Sequence, residues 1–369
     1  MKNIDRRQWL KSIGIASTAA MLNPTTAFAL DIPTIRKNDD LVRLTSNENP
    51  YGPSKRVRAA ITDAFNVTCR YPSINLRPLV EAIATKEDVS KNHIVITGGA
   101  TEGLKAAGIT YGSNGNEIIA ADPTFQAMLR YAENFDGYIH RVASNDKLEH
   151  DLDAMSDRVT SKTGIIFICN PNNPTGTLLE KNELRDFCNT HEKKAVIFSD
   201  AAYYDYITDP DYPSMTELVK EGKNIIVSKT FSKVYGLAGI RIGYLIARPD
   251  IAVRLKDNIM AMTNVLAIAA ATEALKDDEF YKFSITKNAK AKDIIYETLN
   301  SLKLPYIKSP TNFVFFNSGR HIKELSSQMR NEGIAIGRPF PPLYDWCRIS
   351  TGTTEEVEAF CSALKIVYS

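Results

Sequence analysis

Two lysines, three hydroxyls and an arginine fall within one short run: Ser228-Lys229-Thr230-Phe231-Ser232-Lys233, then Gly236-Leu237-Ala238-Gly239-Ile240-Arg241-Ile242-Gly243. A lysine in such a setting is what an aldehyde cofactor needs to be held as an imine. The amine must be neutral to attack, so burial and a neighbouring positive charge should lower its pKa. Arg241 lies eight residues beyond Lys233. With the Thr230 and Ser232 hydroxyls it suits a dianionic phosphate, because a guanidinium gives charge-assisted hydrogen bonds. An anion site of another kind is readable at Thr97-Gly98-Gly99-Ala100-Thr101-Glu102-Gly103. A short apolar run ends there in glycines and opens a helical pattern, so the Ala100 and Thr101 N–H groups sit at the positive end of a helix dipole. Asp200 closes the apolar run Ala195–Ser199, where a carboxylate is costly unless it is paired.

These groups need a scaffold that gathers distant chain segments. From about residue 90 short apolar runs alternate with amphipathic stretches. Strands are expected at His93–Thr97, Glu117–Ala121, Tyr138–Val142, Ile165–Cys169, Ala195–Ser199, Asn224–Ser228 and Ile240–Ala247. Helices are expected at Thr101–Thr110, Phe125–Asn134, Glu180–His191 and Ser214–Glu221. Apolar strands alternating with helices indicate an α/β fold with a mainly parallel sheet covered on both faces. Ligands of such sheets sit beyond the carboxyl ends of the strands, which is where the polar and Gly- or Pro-rich clusters fall. After residue 249 the pattern predicts two long helices, Ile251–Lys276 and Glu279–Leu302, then a smaller α+β unit with strands Phe313–Phe316, Ile334–Ile336 and Cys347–Ser350 and helices Ile322–Glu332 and Thr354–Val367.

The lysine run resembles the lysine motif of the class I and II aminotransferases, especially that of the histidinol-phosphate aminotransferase group. Other motifs similar to that family's follow in order: Thr45-Ser46-Asn47-Glu48-Asn49-Pro50-Tyr51-Gly52-Pro53, Thr97–Gly103, Asn170-Pro171-Asn172-Asn173-Pro174-Thr175-Gly176, Asp200-Ala201-Ala202-Tyr203 and Arg348-Ile349-Ser350-Thr351-Gly352-Thr353. The resemblance covers roughly residues 40–365. It implies a pyridoxal-5′-phosphate (PLP) enzyme of fold type I, with a seven-stranded sheet in the large domain and Lys233 holding the cofactor as a Schiff base. It implies a 30–59 segment belonging to the small domain, a large domain over 60–255 and a small C-terminal domain over 256–369. Ala100, Thr101, Thr230, Ser232 and Arg241 would hold the cofactor phosphate, joined by Tyr71 from a neighbouring subunit of a homodimer. Phe125 would stack on the pyridine ring, Asp200 would pair with its protonated nitrogen, and Asn173 and Tyr203 would bond its 3′-oxygen. Arg348 would grip the substrate carboxylate, with Asn47 near it. Arg338 is a candidate for a substrate phosphate. Ala201 stands where the family usually has glutamate.

The reaction implied is transfer of an amino group from an amino acid, or an amine such as histidinol phosphate, to a 2-oxo acid. A PLP decarboxylase or lyase of the same fold is the alternative, and a non-catalytic PLP-fold binding protein a further one. The composition fits a globular enzyme: 369 residues, 44% hydrophobic and 24% charged, with a net charge of +2 that gives no reason to expect a nucleic-acid or membrane partner. Five scattered cysteines lack C-x-x-C spacing, and no metal is expected. Arg6-Arg7-Gln8-Trp9-Leu10-Lys11, a weakly apolar stretch and Ala27-Phe28-Ala29 follow in the order of a twin-arginine (Tat) signal peptide over 1–29. That pattern leads us to expect export through the Tat translocon to the periplasm, with no membrane anchor.

Overall fold

The computed structural model describes residues 41–369; the expected leader over 1–29 lies outside the described residues. The strands are β1 (Val42–Arg43), β2 (Ile94–Thr97), β3 (Glu117–Asp122), β4 (Tyr138–Ala143), β5 (Thr163–Cys169), β6 (Val196–Asp200), β7 (Ile225–Thr230), β8 (Gly243–Ala247), β9 (Tyr306–Ile307), β10 (Phe313–Asn317), β11 (Ile334–Ala335) and β12 (Trp346–Ser350). The helices are α1 (Lys55–Ala64), α2 (Ser73–Lys86), α3 (Ala100–Gly112), α4 (Ala127–Glu133), α5 (Leu152–Ser156), α6 (Lys181–His191), α7 (Thr216–Lys220), α8 (Pro249–Lys256), α9 (Val265–Ala274), α10 (Asp278–Ser301), α11 (Ile322–Asn331) and α12 (Thr354–Tyr368).

Seven strands form one sheet in the order β2-β8-β7-β6-β5-β3-β4. The pairs from β7 through β6, β5 and β3 to β4 are parallel, whereas β8 is antiparallel to both its neighbours, β2 and β7. The inner strands are apolar along most of their length because both faces are covered, whereas the edge strand β4 carries His140 and Arg141 and is largely exposed. Alternate residues go to opposite cores: Ile119, Ile166, Ile168, Ile197 and Val227 to one, Ile118, Ile165, Phe167, Phe198 and Ile226 to the other. Each such side chain contributes roughly 1.5–3 kcal/mol by leaving water.

A third core lies around the sheet β12-β10-β9, where Val314, Phe316 and Ile349 meet Ile295 and Leu299 of α10, Leu325 of α11 and Phe360 and Leu364 of α12. Leu44 joins this core, and β1 pairs in parallel with β11 (Val42 opposite Ile334), so the residues after 41 are tied to the C-terminal third of the chain.

The strands of the large sheet occur where the apolar runs predict them, with ends moved by at most three residues. One expectation is corrected. The continuous helix over Ile251–Lys276 is two helices, α8 and α9, with a break between Lys256 and Val265. Asn264 starts the second by accepting the Ala267 N–H on its side chain (2.8 Å), and a capped start competes with helix continuation. The Met260 N–H instead donates to Glu102 Oε1 of α3 (3.1 Å). The buried alanines of α9 (Ala267, Ala270, Ala271) pack into the core of the large sheet.

Candidate active site

The parallel strands deliver their last residues to one edge of the sheet. Phe125 follows β3, Asn173 follows β5, Asp200 ends β6 and Lys233 follows β7. Arg241 arrives just before β8, because that strand runs the other way. Together with Ala100, Thr101, Tyr203, Thr230, Ser232, Asn47, Arg338 and Arg348, all of these line one cavity of about 690 Å³. That volume suits a cofactor and a small substrate together. Among the sequence-predicted site residues only Tyr71 lies elsewhere: it precedes α2 and is 88% exposed.

One end of the cavity is built for an anion. The first turn of α3 has no intrahelical partners for its N–H groups, and Ala100 and Thr101 open it. Gly99 before it has φ +81°, and a Cβ there would overlap the Arg241 guanidinium. Glycine therefore lets the arginine lie across the turn. Arg241 donates from Nη1 to the Ala238 carbonyl (2.7 Å) and from Nη2 to the Gly98 carbonyl (3.3 Å). Glu102 accepts the Gly98 N–H (2.5 Å), which ties the turn to the helix. Thr230 Oγ1 donates to Ser232 Oγ (2.9 Å) and accepts the Ser232 N–H (3.1 Å), so both hydroxyls are held at the same end.

The two lysines of the motif have different fates. Lys229 points away from the cavity and is held by both Glu87 oxygens (2.7 and 2.9 Å), while Tyr244 donates to the same carboxylate (2.7 Å). Lys233 lines the cavity and donates to the Asn47 and Ser46 carbonyls (2.8 and 3.2 Å). Burial, then the charge of Arg348, brings its pKa down to about 8; Glu48 and Asp200 oppose the shift and Arg241 adds to it. At neutral pH roughly a tenth of the amine is then neutral, far more than for an ordinary lysine, which is what a nucleophile or general base needs.

Asp200 is 2% exposed. Its Oδ1 accepts the Ala202 N–H (3.2 Å), while Oδ2 has only the Cys169 thiol at 4.0 Å. Burial raises its pKa to about 6, against the Ala202 N–H and Lys233. The carboxylate is thus under-partnered on the cavity side and suits a protonated ring nitrogen. Cys169, read from sequence as a small buried hydrophobe, also lines the cavity; burial and then Asp200 push its thiol pKa well up, so it stays neutral. The one readable hint was its place at a strand end just before Asn170-Pro171.

At the opposite end Arg348 is 7% exposed, and it donates from Nη1 to Asn173 Oδ1 and from Nη2 to the Thr45 carbonyl, both at 2.6 Å. Its Nε is buried without a partner. Burial lowers its pKa to about 10, which leaves it charged at neutral pH. Asn173 Nδ2 in turn donates to the Tyr203 hydroxyl (3.1 Å). Arg338 lies over the Phe340 ring (4.3 Å), and burial, then Arg130, lowers its pKa. Lys323, at the start of α11, also lines the cavity and carried no signal in the sequence. The cavity is lined by five cations (Lys233, Arg241, Lys323, Arg338, Arg348) against one carboxylate, Asp200.

Comparison with known proteins agrees with this geometry. The family described as "Aminotransferase class I and II" matches residues 39–364. A histidinol-phosphate aminotransferase of Moorella thermoacetica is 37% identical over 333 residues, covering 88% of this chain and 85% of the relative. One from Caldicellulosiruptor saccharolyticus is 34% identical, with 89% and 92% covered. Among solved structures, a putative histidinol-phosphate aminotransferase from Erwinia carotovora atroseptica superposes with a TM-score of 0.86 at 30% identity, covering 89% of this chain and 97% of its own. The histidinol-phosphate aminotransferase of Sinorhizobium meliloti, in complex with pyridoxal-5′-phosphate, gives 0.81 at 26% identity, with 88% and 90% covered.

Proposed function

Because the chain belongs to the class I and II aminotransferase family, and is a PLP-dependent aminotransferase, we propose that Lys233 is the residue that carries the cofactor and moves the proton. One observation carries this reading: a partly buried amine and an under-partnered buried carboxylate share a cavity with Arg241, Lys323, Arg338 and Arg348. Bound PLP supplies a sink for the electron pair left at the substrate Cα. Asp200 keeps the ring nitrogen protonated and the sink effective. The first turn of α3, Thr230, Ser232 and Arg241 hold the phosphate, and Phe125 offers its face to the ring. Lys233 would hold the cofactor through its amine and, when that amine is free, would take the proton from the substrate Cα and hand it back on the cofactor side. Arg348 holds the substrate's anionic group and exchanges its bonds to Thr45 and Asn173 for it.

The charge balance supports a narrower reading of the substrate. The phosphate accounts for Arg241 and one substrate anion for Arg348, which leaves Lys323 and Arg338 for a further anionic group. A dicarboxylic amino acid meets that requirement with its two carboxylates, whereas histidinol phosphate, for which the relatives are named, offers one phosphate dianion that Arg348, Arg338 and Lys323 would share. The homodimer belongs to the same proposal. Tyr71, Ile74 and Phe65 are 88, 87 and 59% exposed on one stretch of this chain, which supports a reading in which Tyr71 completes the phosphate site of a partner subunit.

Borohydride reduction and peptide mapping should place the pyridoxyl group on Lys233. Incubation with histidinol phosphate or L-glutamate should release the oxo product without carbon dioxide. A label on Lys229 would overturn the lysine assignment, and stoichiometric carbon dioxide would make the enzyme a decarboxylase.

A further inference from the structure

Asn47 is buried (1% exposed), holds a left-handed backbone (φ +53°) and uses every polar group it has. Its N–H donates to Ser350 Oγ (2.8 Å), and the same hydroxyl donates back to Asn47 Oδ1 (2.9 Å). That closed pair of bonds fixes the carboxamide, whose Nδ2 then donates to the Tyr203 hydroxyl (3.0 Å). The Asn47 carbonyl accepts from Lys233 Nζ (2.8 Å) and from Asn312 Nδ2 (2.9 Å). One lone pair serves the lysine and the other a fixed amide from β10's approach.

The geometry points to Asn47 as a positioning residue for two reacting groups at once, set in place by Ser350 and Asn312. Tyr203 receives two amide donors, from Asn47 and from Asn173. These occupy the acceptor capacity of the phenol oxygen, so its own O–H is directed away from both. Donors to the oxygen also favour the ionised phenol and oppose the rise that burial imposes on Tyr203, which makes Tyr203 a better donor. The carbonyl acceptors of Ser46 and Asn47 favour the ammonium form of Lys233 and oppose the fall that burial imposes. Asn312 keeps that carbonyl aimed. Asn47 therefore acts through Tyr203 and Lys233, and both of its side-chain atoms are already spoken for by Tyr203 and Ser350. This inference rests on the proposed function for Tyr203 only.

Two measurements test it. In the holoenzyme, the visible absorbance of the resting cofactor is titrated against pH. Asn47→Gly keeps the left-handed backbone and the carbonyl but removes the donor to Tyr203, and Ser350→Ala unlocks the same amide. Both should raise the titration midpoint by about 0.5 or more and lower kcat with little change in KM, and Ser350→Thr should restore the wild-type midpoint. In the apoprotein, the rate of Lys233 carbamylation by cyanate is followed against pH by peptide mass spectrometry. Asn312→Ala should lower its midpoint by about 0.5 or more, a result that stands even if PLP were mapped to another lysine. A wild-type absorbance midpoint in Asn47→Gly, or a Lys233 profile indifferent to Asn312, would overturn the proposal.

Discussion

Asp200 shows how a single residue links pH, stability and cofactor. Burial raises its pKa from the ordinary 3.8 to about 6. Below 3.8 the carboxyl is protonated in both folded and unfolded chains. Between those values the unfolded chain ionises first, so the folded apoprotein loses stability as pH rises, up to about 3 kcal/mol above pH 6. Asp200→Asn should therefore make the apoprotein more stable than wild type at pH 8 and leave it similar at pH 4, as read by thermal unfolding, while the holoenzyme loses activity at every pH. Parallel unfolding profiles for the two apoproteins would sink the argument. Asp200, Lys233, Arg241 and Arg348 were legible because their chemistry is carried by the side chain and by a local motif. The supports of Lys233 were not. Ser46 and Asn47 contribute backbone carbonyls, which any residue possesses, and Ser350 meets Asn47 across 303 residues of chain, a distance no local pattern spans.

Among the elements, the inner strands of the large sheet were readable since burial on both faces demands apolar runs, while the edge strand β4, with His140 and Arg141, was readable from its place in the strand–helix alternation. The interruption between α8 and α9 was not, since Ile259, Met260, Ala261 and Met262 keep the segment apolar and nothing local singles out Asn264 as the cap from Asp257, Asn258 and Thr263. The turn into α3 yields a prediction at this scale. Gly99→Ala meets two obstacles, a left-handed φ and the Arg241 guanidinium. Gly115→Ala meets only the first, with φ +80° and nothing within 4 Å. From the backbone, each should cost about 1–3 kcal/mol of stability. Only Gly99→Ala should also weaken PLP binding, by about tenfold or more, because displacing one charge-assisted donor is worth about 1.5–3 kcal/mol. Equilibrium dialysis of PLP against both variants decides the matter; equal losses would mean that the turn matters for folding alone.

For the whole molecule the test concerns a second copy. If Tyr71 serves the partner's phosphate site, Tyr71→Phe should weaken PLP retention by about ten- to a hundredfold. A Tyr71→Phe chain paired with a Lys233→Ala chain places both lesions in one site and leaves the other intact. Activity should reappear on mixing two weak variants and exchanging subunits. No recovery in a verified heterodimer, or full activity in a monomer by sedimentation, would rule out the shared site. One chain read alone could suggest Tyr71 only by motif, because what a residue meets on another copy leaves no trace in the spacing of its own neighbours.

The reversed direction of β8 bears on when the site can come into being. A parallel strand there would present Ala247 at the working edge; the antiparallel one presents its beginning, so Lys233 and Arg241 share one turn between hydrogen-bonded strands. That turn closes at small entropic expense, whereas joining Asn47 to Ser350 closes a loop spanning most of the protein. Synthesis runs in the same order. Ala100, Asp200, Lys233 and Arg241 have all left the ribosome before Arg338, Arg348 and Ser350 are made. With the proposed roles, the nascent chain would possess its means of capturing a phosphate-bearing cofactor before it has the C-terminal groups assigned to the substrate, and vitamin loading could precede the closure that makes turnover possible.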